Sequence, residues 1–155
     1  MLYRLLSNPE CIGPLRRDVE TAVAEEGWTK AGIDKMHMID SFVRETQRLD
    51  DLDGCSLDSP SWAQLLIHYF LPVTVSRLAL HPFTFSNGVT IPPGTLVSVP
   101  GCVIHTDEEI YPNPNEFDGS RFVKLRERDV EGAARHQALS TSVDHVTFGL
   151  GRHTW

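Results

Sequence analysis

Val43-Arg44-Glu45-Thr46-Gln47-Arg48-Leu49 is the stretch on which the fold turns. Glu45 and Arg48 stand three residues apart, so on a helix they share one face. On an exposed helix such a pair is an ordinary ion pair that contributes little. The neighbouring residues argue for a different setting. The spacing predicts a helix from Asp34 or Lys35 to about Leu49. Met38, Phe42, Glu45 and Leu49 form one stripe along it, and Met36, Ile39 and Val43 form another. A helix apolar on two sides is buried, and charges inside a core must be paired and hydrogen-bonded. A third charge is available downstream: Arg121, in Pro114-Asn115-Glu116-Phe117-Asp118-Gly119-Ser120-Arg121-Phe122.

Upstream, Asn8-Pro9-Glu10 reads as a helix start, with a capping residue, a proline at the first helical position and an acid near the positive end of the dipole. Ile12, Leu15, Val19 and Ala22/Val23 continue that helix to Glu26, and Gly27 is a fitting stop. Pro14 conflicts with this unless the helix starts or kinks there.

Downstream the character changes. Asp50–Ser61 is acidic and rich in turn residues, but it fails as a calcium loop, which would need an acid at Leu49 and a glutamate at Pro60. Ser61–Leu71 is a short apolar stretch that Pro72 ends. Thr84–Ile91 surrounds Asn87-Gly88, a hairpin signal in which both central residues are expected at positive φ. Pro92-Pro93-Gly94 is a turn, Thr95–Val99 a strand and Gly101–His105 a short helix. Tyr111–Asn115 is a rigid loop, and 123–144 reads as a meander with a short helix at best.

The 155 residues suffice for one domain with a core. With 14 basic against 21 acidic residues the net charge is −7, which argues against a nucleic-acid partner. The three cysteines, Cys11, Cys55 and Cys102, form neither a disulfide framework nor a Cys-x-x-Cys metal knuckle. Met1–Leu6 is too short for a secretory leader. The longest apolar run, Trp62–Val75, is interrupted by His68 and falls short of the roughly 20 residues that span a bilayer, so no membrane segment is expected in this chain.

The chain ends Phe148-Gly149-Leu150-Gly151-Arg152-His153-Thr154-Trp155. This resembles the iron-binding loop of the cytochrome P-450 family, haem-thiolate monooxygenases in which the pattern is Phe-x-x-Gly-x-x-x-Cys and the cysteine sulfur is the axial ligand of haem iron. Phe148 and Gly151 fall in register, and the ligand position falls on Trp155. The family also pairs a Glu-x-x-Arg on one helix with an arginine of a later stretch, which Glu45, Arg48 and Arg121 match in order. Asn8-Pro9-Glu10, Val75–Leu80, Asn87–Val97 and Tyr111–Phe122 are most similar to the fungal branch.

The resemblance implies a mainly helical α+β fold: the C-terminal part of the cytochrome P-450 fold, with helices, a small antiparallel sheet and an irregular meander. Residues 1–155 would form a partial domain, and 50–71 an insertion or unspliced-intron segment. Glu45, Arg48 and Arg121 would be a structural triad. Phe148, Gly149, Gly151, Arg152, His153 and His105 would cradle haem, with Arg152 near a propionate. Val75, Leu78 and Leu80 would border the substrate space. The parent would insert one atom of dioxygen into an apolar organic substrate, drawing electrons from an NADPH-dependent reductase, commonly at the endoplasmic reticulum membrane. Its oxygen-activating helix is expected upstream of residue 1. With Trp155 at the ligand position, no catalytic residue and no metal ligand are expected in this chain, which is expected to be inactive, to hold haem weakly or not at all, and to be soluble or aggregated in the cytoplasm. The alternative is a non-catalytic remnant that binds haem weakly or a partner. A histidine-based metal enzyme lacks the ligand spacings it would need.

Overall fold

The structure is a computed structural model that describes residues 1–50, 75–129 and 131–151. The proposed 50–71 segment therefore lies outside the described residues beyond Asp50, as do Arg152, His153 and Trp155.

Two helices precede the predicted break at Gly27. Helix α1 spans Leu2–Ser7 and α2 spans Ile12–Glu26, joined by a 3-10 turn at Pro9–Cys11. The sequence reading began this region at Asn8 and missed α1, whose six residues are too few to show a period. Asn8 instead closes α1, its side-chain amide donating to the Arg4 carbonyl at 2.8 Å. Pro14 is accommodated because it is the third residue of α2, where the backbone N–H has no intrahelical acceptor to lose. Gly27 takes φ 66° and donates to the Val23 carbonyl at 2.8 Å.

A short helix, α3, Lys30–Asp34, was also not foreseen; the Thr29 hydroxyl caps it by accepting from the Gly32 N–H at 3.2 Å. A Cβ on Gly32 would lie 2.4 Å from the Gly27 carbonyl oxygen, so this turn closes only over glycine.

Helix α4 runs from His37 to Leu49. Its first turn is capped from another element: one Asp18 carboxylate oxygen accepts from the N–H groups of Met38 (2.9 Å) and Ile39 (3.2 Å). The predicted burial of α4 is present at Phe42 and Glu45, but its buried face turns further toward polar residues than the two apolar stripes imply. Its buried residues are Ser41, Phe42, Arg44, Glu45, Thr46 and Arg48, whereas Ile39, Val43 and Leu49 are only partly covered. The polar residues win the interior because each finds hydrogen-bond partners there.

Further along the chain come β1 (Val75–Leu78), β2 (Phe83–Thr84), β3 (Thr90–Ile91) and β4 (Leu96–Val99). They form two antiparallel pairs, β1 with β4 and β2 with β3. The hairpin corrects one expectation. Gly88 has φ 86°, but Asn87 does not share the positive sign. Phe85 and Val89 close a wider loop, with the Phe85 N–H on the Val89 carbonyl at 2.8 Å and the Asn87 side chain accepting from the Val89 N–H at 3.1 Å. The asparagine side chain satisfies the turn locally, so its backbone has no need of a left-handed conformation.

Helix α5 (Gly101–His105) follows, then the loop 106–120 and helix α6 (Arg121–Arg128). A 3-10 turn at Ala133–His136 is the only further helical piece among the described residues. The architecture is α+β and mainly helical. Its core lies where α4, α5, α6 and the loops around Tyr111 and Val146 meet, with Phe42, Tyr111, Phe122, Ala138 and Val146 buried. Phe42 meets Phe117 edge-on at 5.2 Å between centroids, and Tyr111 meets Phe122 at 6.3 Å. Among the described residues no helix is long and apolar enough to cross a membrane.

Candidate functional site: a buried acid–arginine cluster beneath a glycine loop

Glu45 is fully buried and receives five hydrogen bonds. Arg48 donates to both carboxylate oxygens, at 2.9 and 2.8 Å. Arg121 Nε donates to both, at 3.0 and 3.1 Å, and the Asp118 N–H adds a bond of 3.1 Å. One carboxylate thus faces two guanidinium groups, and the arginines' remaining donors are spent on backbone carbonyls. Arg48 Nη1 bonds the carbonyls of His105 and Pro114, and Arg121 bonds those of Pro112 (2.6 Å) and Glu116 (2.9 Å). The planar guanidinium suits this work, because its fork of fixed donors reaches an acid and several carbonyls at once. Helix α4 in this way fixes the loop 112–118, which has no regular structure to fix itself.

Two further polar devices on α4 escaped the sequence reading. The Ser41 hydroxyl donates to the Gly119 carbonyl at 2.8 Å and accepts from the N–H groups of Phe122 (3.1 Å) and Val123 (3.3 Å), which seats the start of α6. Arg44 lies over the Phe122 ring at 4.8 Å and donates to the carbonyls of Gln137 and Ser140. Burial pushes the Arg44 guanidinium down to about 10. The available signal was position: Ser41, Arg44, Glu45 and Arg48 recur at helical spacing, so a face read for apolar residues alone hid a polar one.

His105, His145 and Tyr111 form the other half of the interior. The two histidine rings lie 5.0 Å apart and both residues are fully buried. The Tyr111 hydroxyl donates to the Asp144 carbonyl at 2.6 Å, and burial first of all raises its pKa to about 12. Burial, reinforced by Arg48, pushes His105 down to about 4; burial, reinforced by Arg44, pushes His145 down to about 2. Both imidazoles are therefore neutral at physiological pH. His145 and Tyr111 were not singled out in the sequence.

The segment Ser142–Gly151 lies next to this cluster. Ser142 and His145 exchange backbone hydrogen bonds of 3.1 and 3.2 Å, and the Gly149 N–H returns to the Val146 carbonyl at 2.9 Å. Gly149 (φ 74°) and Gly151 (φ 83°) are left-handed, a conformation that side chains disfavour. Phe148 is half-buried. The structure thus brings Glu45, Arg48, Arg121 and His105 together and sets Phe148, Gly149 and Gly151 on the adjoining loop. Leu78 and Leu80 are exposed, on and just beyond β1. No group of three or more potential metal-ligating side chains occurs among the described residues.

The assembly is a helical scaffold in which a buried acid and two arginines clamp irregular loops, ahead of a glycine-rich turn. Its sequence identifies the class. The cytochrome P450 family model matches residues 65–154. A cytochrome P450 monooxygenase, janQ, from Penicillium janthinellum is 37% identical over 154 residues, covering 99% of this chain. Cytochrome P450 monooxygenases 71 and 103 from Postia placenta are 37% and 38% identical, each over 152 residues and 98% of the chain. The chain belongs to the cytochrome P450 family. It spans about a quarter of the length of these relatives, 26–27%.

Proposed function

We propose that this chain corresponds to the part of a haem-dependent monooxygenase that runs from the acid–arginine helix to the ligand-bearing loop, and that its own loop no longer supplies the ligand. Membership of the family supports the first half. The second rests on one observation: with Phe148 and Gly151 in the family's register, the ligand position is Trp155. An indole offers an N–H donor and no thiolate. The two described cysteines, Cys11 and Cys102, lie on other elements. The donor set at the loop therefore does not fit a thiolate-held haem, although Gly149 and Gly151 give the turn a cradle-like backbone.

On this reading Glu45, Arg48 and Arg121 are the family's structural triad, and Phe148, Gly149, Gly151, Arg152 and His153 are what remains of the haem cradle. The full-length relative would oxidise an apolar organic molecule with electrons from an NADPH-dependent reductase. This chain would not, because the thiolate is what favours O–O cleavage in such enzymes. We read 50–71 as an insertion or retained intron. A spliced message that lacks those codons would mark a retained intron, and one that keeps them in a folded, full-length enzyme would mark an insertion.

The test is direct. Purified protein supplied with haem, reductase, NADPH, dioxygen and an apolar substrate should give no oxygenated product, and product formation would sink the proposal. Trp155→Cys should gain a thiolate-type absorption band with reduced haem and carbon monoxide, whereas the parent sequence should not.

A further inference from the structure

His105, which the family resemblance places in the haem cradle, and His145 are fully buried titratable side chains whose own contacts the proposed function does not use. The His105 ring nitrogen Nε2 lies 3.2 Å from the Val146 backbone N–H. Both groups are buried, so this amide needs an acceptor at that point. Imidazole can accept there only when unprotonated at Nε2, which places its proton on Nδ1. At its other end His105 is held by α4, because Arg48 donates to its backbone carbonyl. A single residue therefore joins the Glu45–Arg48–Arg121 cluster to the segment that leads into the glycine loop.

We propose that His105 is a positioning residue that latches the base of the glycine loop to α4 through its unprotonated Nε2. The groups that face it support this. Burial disfavours a charge on the ring, and Arg48 and Arg44 of α4 make a third cation there less favourable still. Glu45 of α4 is already occupied by Arg48 and Arg121. His145 packs against it as a neutral ring, itself edge-on to Phe122 of α6 at 5.9 Å. Tyr111 holds the neighbouring Asp144 carbonyl with a neutral hydroxyl. Burial and the arginines set the His105 pKa at about 4, so at neutral pH the latch is closed.

The inference requires no haem and stands apart from the reading of Trp155. Its test is amide hydrogen exchange and histidine nitrogen NMR on the whole chain. In the unaltered protein at neutral pH, Nε2 of His105 should carry the shift of an unprotonated acceptor. The Val146 amide should be protected to the same degree as the α4 amides of Phe42 and Thr46. His105→Phe keeps a ring and removes the acceptor; Val146 should then exchange about five- to tenfold faster, in line with the loss of one buried hydrogen bond, while Phe42 and Thr46 stay protected. His105→Gln offers an amide oxygen that never titrates. It should restore protection and abolish the selective loss at Val146 that the unaltered protein shows as the pH falls from about 7 toward the His105 pKa. A protonated Nε2 at neutral pH, an unprotected Val146 amide in the unaltered protein, or unchanged exchange in His105→Phe would each overturn the proposal.

Discussion

Arg121 Nε lies 3.0 Å from Glu45 Oε1 across a sequence separation of 76 residues. The Glu45 carboxylate is fully buried, and Arg48 approaches it from the next turn of its own helix. The pair closes the loop that carries residues 112–120 onto α4. Without it those residues have no regular backbone ladder to hold them.

Removing the charge of Glu45 leaves two buried guanidinium groups facing each other. Glu45→Gln should therefore destabilise the fold by about 3–5 kcal/mol, far more than loss of a surface pair. Urea denaturation followed by circular dichroism measures it. A loss below about 1 kcal/mol would mean that the cluster is solvated in solution.

Gly119 sits where a side chain cannot. A Cβ there would lie 2.9 Å from the Phe42 ring and 3.2 Å from the Cys11 sulfur, and its carbonyl is held by Ser41. Gly119→Ala should cost about 1–3 kcal/mol through overpacking. Pairing it with Phe42→Leu should recover part of that loss, a coupling that a double-mutant cycle would detect.

Ser41 satisfies three backbone groups with one hydroxyl. Ser41→Ala leaves the Phe122 N–H and the Gly119 carbonyl without that partner in a buried site, and about 1–3 kcal/mol should be lost. Ser41→Thr retains the hydroxyl, so thermal melting of the two variants separates hydrogen bonding from packing.

Acid should unfold the protein through its buried histidines. An unfolded histidine titrates near 6.5, whereas folding pushes His105 to about 4 and His145 to about 2. Below about pH 6.5 the unfolded chain takes up protons that the folded protein refuses, so stability falls as the pH falls. The contribution is intact above about 6.5 and is lost progressively toward about 4 for His105, where it is on the order of 3 kcal/mol, and onward toward about 2 for His145. Neither ring nitrogen of His145 makes a close hydrogen bond, and the Arg44 backbone acts on the ring only from a longer range. His145→Phe should therefore raise stability at neutral pH by about 1 kcal/mol and flatten the acid slope. Denaturation midpoints measured across the acid range report both.

Much of the chain was legible because its signals are local. The helical start at Asn8-Pro9, the Gly27 stop, the period of α4, the Asn87-Gly88 turn and the short helix at Gly101–His105 each depend on neighbouring residues, and each has a counterpart in the fold. Elements shorter than two turns were less visible. Helices α1 and α3 carry too few residues for a period, and their stability comes from caps and packing.

By itself the sequence determined the family, the mainly helical α+β class and the presence of an acid and two arginines able to pair with one another, because spacing and residue chemistry are written in order along the chain. Tertiary structure alone decided that Ser41 and Arg44 join Glu45 and Arg48 inside while Ile39 and Val43 stay partly covered, because the loops of 105–147 bring backbone carbonyls and amides that only polar side chains can satisfy. It alone also set His105 against Val146 and His145, a contact spanning a separation of 41 residues that no local pattern encodes.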